Sequence, residues 1–195
     1  MINDKPQRGE QELWRANTYQ LLARLLLKPP NNRLVAQLAE IPPANPVMGE
    51  DAVALAWCAL GEAARRTQEP GLLKEYYYLF GECGGILYPR ASRYMDSILN
   101  TNPLVLLRTE LAGLGIENSG KLIEDHAGNL CEIMCQLIEA EDPRQIGFFS
   151  RHLKPWLPAF FRELKLTPSA VFYRPVGSLG EAFIEVERIF LRDTY

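Results

Sequence analysis

No stretch of the chain sustains an alternation of apolar and polar residues with β-branched side chains, and neither Asn-Gly nor Asp-Gly occurs. Hairpins and sheets are therefore not expected. Long apolar runs are missing too. The most notable charge-free one, Ala52 to Gly61, falls well short of the roughly 20 residues of a membrane-spanning helix. The stretch from Met1 to Glu10 is polar and lacks the apolar segment of a secretory signal. Positive charge is not in excess: Lys plus Arg is 21 against 24 Asp plus Glu, a net charge of −3. No basic stripe is available to neutralise phosphates, so nucleic acid is not an expected partner. Repeats, low-complexity tracts and Gly/Ser linkers are absent as well. The four cysteines, Cys58, Cys83, Cys131 and Cys135, read as reduced thiols in a chain without an export signal. A soluble, cytoplasmic protein without membrane insertion is the expectation.

What is present is an ordinary globular composition, 47% hydrophobic and 23% charged over 195 residues. A chain of that length buries roughly 70% of its unfolded surface and needs no disulfide or metal to fold. Leu13, Trp14, Asn17, Leu21, Leu22, Leu25 and Leu26 recur at the helical period, predicting a first helix over about 10–28 that Pro29-Pro30 stops. Asn32 is expected to cap a short helix to Glu40, and Val53 to Ala64 mark a third helix ended by Glu69-Pro70-Gly71. The pattern resumes from Leu72 to Gly81. Periodicity vanishes from Gly81 to Tyr94, which reads as a loop.

Further on, Asn102-Pro103, Asp142-Pro143 and Thr167-Pro168 each read as a cap followed by a helix-starting proline. A long helix is expected from near Ile123 to Ala140. Ser178 to Glu181 fits a capping box for a final helix over 181–192. The expectation is one all-α domain over residues 1–195, of about eight to ten helices, with residues 1–9 as a flexible tail.

Several clusters bear chemistry. Gly115 to Lys121 spells G-x-x-x-x-G-K, but Leu122 stands where a phosphate loop needs the Ser or Thr that ligates magnesium. A glycine-rich turn between helices is the favoured reading, with a nucleotide-binding enzyme using Gly120 and Lys121 as the alternative. Cys131 and Cys135 share a helix face and with His126 or Glu132 have the chemistry of a metal site. No second cysteine pair accompanies them and their neighbours are apolar, so core packing is expected and no metal. Glu124-Asp125-His126 combines two carboxylates with one of only two histidines. No nucleophile is fixed near it, so hydrolysis is not indicated. The acids either complement a helix start or present carboxylates to an arginine. His152, beside Arg151, is expected to orient a local turn. Tyr76, Tyr77, Tyr78, Phe80, Tyr88 and Tyr94 surround the mid-chain loop, bordered by Glu75 and Glu82. They fit core packing and an apolar groove equally.

Four segments together resemble the TorD/DmsD family of redox-enzyme maturation chaperones. They are Tyr77 to Gly81 with Tyr88 to Tyr94; Glu124-Asp125-His126; Phe148 to Trp156 with Phe160-Phe161; and Ala170 to Tyr173 through Leu179 and Phe183 to Glu187. The resemblance implies an all-helical, non-enzymatic protein without a cofactor of its own. It implies binding of the twin-arginine signal peptide and apo form of a molybdenum-cofactor oxidoreductase, with export delayed until the cofactor is inserted. It also implies a monomer or a domain-swapped dimer. Carried onto this sequence, the signal-peptide-binding residues would be Leu79, Phe80, Tyr88, Pro89, Arg90, Ser92, Tyr94, Glu124, Asp125 and His126. Relatives proposed to bind guanine nucleotides keep Gly120 and Lys121 as candidate nucleotide contacts. The sequence departs from the family in two places: Leu122-Ile123 replaces a Glu-Pro, and Arg90 stands at an often aromatic position.

Overall fold

The computed structural model describes residues 8–44, 51–81, 84–95, 103–116 and 124–192. Among them are ten α-helices, one π-helical turn and no strand. Helix α1 (Arg8–Leu27) is followed by α2 (Asn32–Ala39), α3 (Ala52–Arg66) and α4 (Glu69–Phe80). Then come α5 (Ala91–Met95), α6 (Pro103–Gly113) and α7 (Ala127–Glu139). The chain continues through α8 (Gln145–Phe148), the π turn Phe149–Leu153, α9 (Leu157–Leu166) and α10 (Tyr173–Phe190).

Helix α1 lies along α7, and α10 lies against both α9 and α3. These faces form one core, to which α1 gives Tyr19, Leu22 and Leu26, α7 gives Leu130 and Met134, α9 gives Phe160 and Phe161, and α10 gives Leu179 and Phe183. Two glycines set the approach of the helices. A Cβ on Gly128 would lie 2.6 Å from Leu27 Cγ, and one on Gly177 would lie 2.6 Å from the Lys165 backbone nitrogen. The α9–α10 contact is backbone against backbone at that point, so no larger residue fits without separating the helices.

Several element ends differ from the sequence expectation, each for a local reason. The first helix begins at Arg8, so residues 8 and 9 belong to it, while Met1–Gln7 lie outside the described residues. Asn31, not Asn32, caps α2: its backbone is extended and its side chain accepts from Leu34 N. Glu69-Pro70-Gly71 opens α4 rather than merely ending α3, because proline at the first turn forfeits no helical hydrogen bond. Thr167-Pro168 ends α9: Thr167 donates its hydroxyl to Glu163 O and its carbonyl accepts from Ala170 N.

The final helix is a single element from Tyr173 and runs through Pro175, Gly177 and Gly180. No capping box forms at Ser178, whose hydroxyl points back to Arg174 O. The start of α10 is capped instead by Glu75 of α4, whose carboxylate accepts from Val171 N (2.8 Å), Phe172 N (3.1 Å) and Tyr173 N (2.9 Å). A carboxylate at a helix N-terminus satisfies orphan donors and complements the dipole.

One ion pair is wholly inside. Arg15 of α1 grips Glu187 of α10 through Nε to Oε1 at 2.6 Å and Nη2 to Oε2 at 2.9 Å, and neither residue is more than 1% exposed. Tyr19 OH donates to the same carboxylate at 3.1 Å, and the guanidinium lies 4.5 Å over the Phe190 ring. Removing one partner strands a buried charge. Arg15→Ala is therefore expected to cost about 3–5 kcal/mol in urea unfolding. The pair replaced together, Arg15→Met with Glu187→Leu, should cost less than either single change.

Candidate functional site

The loop after α4 is ordered by α4 itself. Ile86 N donates to Tyr78 O and Leu87 N to Leu79 O, at 3.2 and 2.8 Å, drawing the chain back along the helix end. From there burial alternates along the chain: Gly85, Leu87, Pro89 and Ala91 face inward, and Ile86, Tyr88 and Arg90 face outward, with Arg90 N turning back to Tyr88 O across Pro89. The sequence showed no such period because two of the inward positions are glycine and proline, which carry no apolar signature.

This run is fastened to the segment ahead of α7. Ala127 N donates to Pro89 O at 2.7 Å and Ala91 N to Asp125 O at 2.9 Å, an isolated antiparallel bridge centred on Arg90 and His126. The Asp125 carboxylate, 2% exposed, accepts from Ser92 N at 2.9 Å in the first turn of α5. Asp125 thus holds two successive amides, one through its carbonyl and one through its side chain. Its carboxylate is turned into the protein.

His126 is the N-cap of α7, its Nδ1 accepting from Gly128 N at 3.1 Å. The expected helix start near Ile123 is therefore replaced by a start at Ala127, and Ile123 itself lies outside the described residues. An Nδ1 that accepts places the ring proton of the neutral form on Nε2. Burial, with Arg90 nearby, holds the imidazole down at about 4, against an opposing pull from Asp125.

Glu124 completes the corner. Its carboxylate, 7% exposed, receives Arg108 of α6 as a fork, Nε to Oε1 at 2.9 Å and Nη2 to Oε2 at 3.0 Å. Arg108 itself is 60% exposed.

The anticipated site residues therefore divide. Pro89, Arg90, Ser92, Glu124, Asp125 and His126 are brought together by the bridge, and Tyr88 stands beside them, 54% exposed. Tyr77, Tyr78 and Ile86 are exposed as well, and Tyr78 is tied to Ile86 through the backbone. Leu79 is fully buried below the loop. Phe80 is half-buried and turned edge-on to Tyr76 and Tyr173. Tyr94 faces away, stacked on Trp156 with its hydroxyl donating to Glu163 of α9. Burial and Glu163 push that phenol well up, which keeps it a donor. The aromatic cluster is thus both core and surface. Glu75 does not border it as a rim acid, being committed to the start of α10, and Glu82 lies outside the described residues.

Other sequence candidates find different settings. Gly115 has φ 72 just beyond the end of α6, so the motif opens on a helix-ending turn rather than after the strand a phosphate loop follows. Gly120 and Lys121 lie outside the described residues. Cys131 and Cys135 are buried on the core side of α7, and burial pushes both thiols up. His152 does not serve a local turn: its Nε2 lies 2.8 Å from Glu110 of α6, which also takes a fork from Arg151. Arg108 and Glu110 escaped the sequence reading because neither sits in a motif. Their partners are 16 and 42 residues away in the chain.

The family model described as Nitrate reductase delta subunit matches residues 49–162, which include the loop, the bridge and the Glu124–His126 corner. No curated protein matches the chain.

The His126 geometry carries an acid sensitivity. The unfolded imidazole takes a proton near its ordinary 6.5 and the folded one near 4, so the unfolded state binds more protons between those values. The stability contributed is present above pH 6.5 and is lost as the pH falls toward 4. His126→Asn, which keeps a capping oxygen without the titration, is expected to lessen the slope of the urea midpoint across that window. An unchanged slope would assign the acid sensitivity to another group.

Proposed function

The chain belongs to the nitrate reductase delta subunit family, whose members are maturation chaperones of molybdoenzymes, and we propose that it binds the twin-arginine leader of one such client in the cytoplasm. Binding would hold back export while the apo catalytic subunit acquires its molybdenum cofactor. The protein acts in this reading as a non-enzymatic monomer or domain-swapped dimer, with the loop from Ile86 to Ser92 and the Glu124–His126 corner as its leader site.

One observation carries the reading. The two motif segments, 33 residues apart along the chain at Ser92 and Asp125, meet as one bridged unit whose outward residues are an aliphatic, an aromatic and a cation. A leader of this type offers guanidinium groups followed by an apolar run. Its receptor needs a carboxylate and exposed apolar side chains side by side. Glu124 supports the first need and Ile86, Tyr88, Tyr77 and Tyr78 the second. Asp125, Leu79 and Pro89 serve by holding that surface in shape.

The reading separates surface from support. Tyr88→Ala is expected to weaken binding of a synthetic Arg-Arg leader peptide about fivefold or more, with the thermal midpoint unchanged. Leu79→Ala should instead lower stability by about 2–5 kcal/mol. Calorimetric titration and thermal unfolding of the two variants check both. Equal peptide affinity of Tyr88→Ala and the parent protein would remove this loop from the site.

A further inference from the structure

The Glu124 carboxylate and the Arg108 guanidinium differ sharply in how firmly they are held. Glu124 is 7% exposed and sits one residue from the bridge that Asp125 and Ala127 form with the loop. Arg108 is 60% exposed, and its Nη1 makes no hydrogen bond among the described residues. The carboxylate is the fixed half of the pair, and the guanidinium reaches it from the solvent side. Arg108 follows Leu104, Val105, Leu106 and Leu107, so α6 presents an arginine beside an apolar run, with Val105 and Leu106 themselves exposed. That is the same pairing of chemistries the proposed leader would bring.

The geometry points to Arg108 as a built-in competitor for the arginine site at Glu124: it occupies the carboxylate in the free protein and is displaced by an arginine of the client leader. The inference rests on the leader-binding reading above and concerns how that site is regulated. Taking Arg108 away from a largely buried carboxylate is costly, so its departure is favoured when another guanidinium takes the same fork. Binding is then an exchange of one fork for another. The fork geometry also favours arginine over lysine, because only a planar guanidinium meets both carboxylate oxygens at once. Exchange lowers net affinity by the strength of the internal pair and keeps the site closed to weakly basic segments. Arg108 can swing into water at little cost, since its side chain is already mostly solvated.

The test titrates one synthetic Arg-Arg leader peptide and its Lys-Lys version into the full chain, Arg108→Ala, Glu124→Gln and the double variant. Arg108→Ala is expected to bind the Arg-Arg peptide roughly fivefold more tightly, the factor that corresponds to about 1 kcal/mol for a pair whose base lies in solvent. The double variant should lose that gain. The peptide should also raise the thermal midpoint of Arg108→Ala more than that of the parent, because it restores a guanidinium fork on Glu124. If the parent binds the Arg-Arg peptide and Arg108→Ala binds it no more tightly, the competitor role is overturned while the leader reading stands. If neither protein binds either peptide, the leader reading falls and takes this inference with it.

Discussion

Asp125 is the constraint on which the site depends. Its carbonyl takes Ala91 N and its carboxylate takes Ser92 N, so one residue ahead of α7 fixes both the end of the loop and the start of α5. The bond from Ala127 N to Pro89 O closes the other side. With the loop pinned there and at Tyr78 and Leu79, its alternate side chains have no choice of face. Ile86, Tyr88 and Arg90 are held outward because Leu87, Pro89 and Ala91 are held inward. A buried residue that takes one amide on its carboxylate and the preceding one on its carbonyl serves this surface as a clamp rather than as a contact.

The forks Arg15–Glu187 and Arg108–Glu124 have nearly the same geometry and different consequences. Arg15–Glu187 is sealed between α1 and α10, roofed by Phe190 and joined by Tyr19. Neither group can leave without stranding the other in the core, so the pair fixes the relation of the first and last helices. Arg108–Glu124 has only its acid buried. The exposure of the base makes the same fork exchangeable. Depth, rather than bond length, decides which pair is architecture and which is available to a partner.

Much of the helical order was legible from apolar spacing and from proline, because those signals act within a turn or two of the chain. The first helix and the start of α6 at Pro103 are cases in point. What escaped prediction was set over longer distances. Helix α10 begins where Glu75, nearly a hundred residues earlier, offers a carboxylate, so the local capping signal at Ser178 lost to a tertiary one. The start of α7 moved from Ile123 to Ala127 because a histidine, a less familiar cap, turns its Nδ1 onto Gly128 N. The motif residues of the site were legible as a set, yet the division into exposed contacts and buried supports was not. That division follows from the bridge between Arg90 and His126, which no local pattern announces.

The central claim is that the bridged loop and corner form the face that meets a client leader. Hydrogen–deuterium exchange of the full chain, with and without an Arg-Arg leader peptide, tests it most directly. The account predicts that added protection concentrates in residues 85–92 and 124–128, with α9 and α10 unchanged. Protection confined to α9 and α10, with the loop and corner exchanging as before, would contradict it.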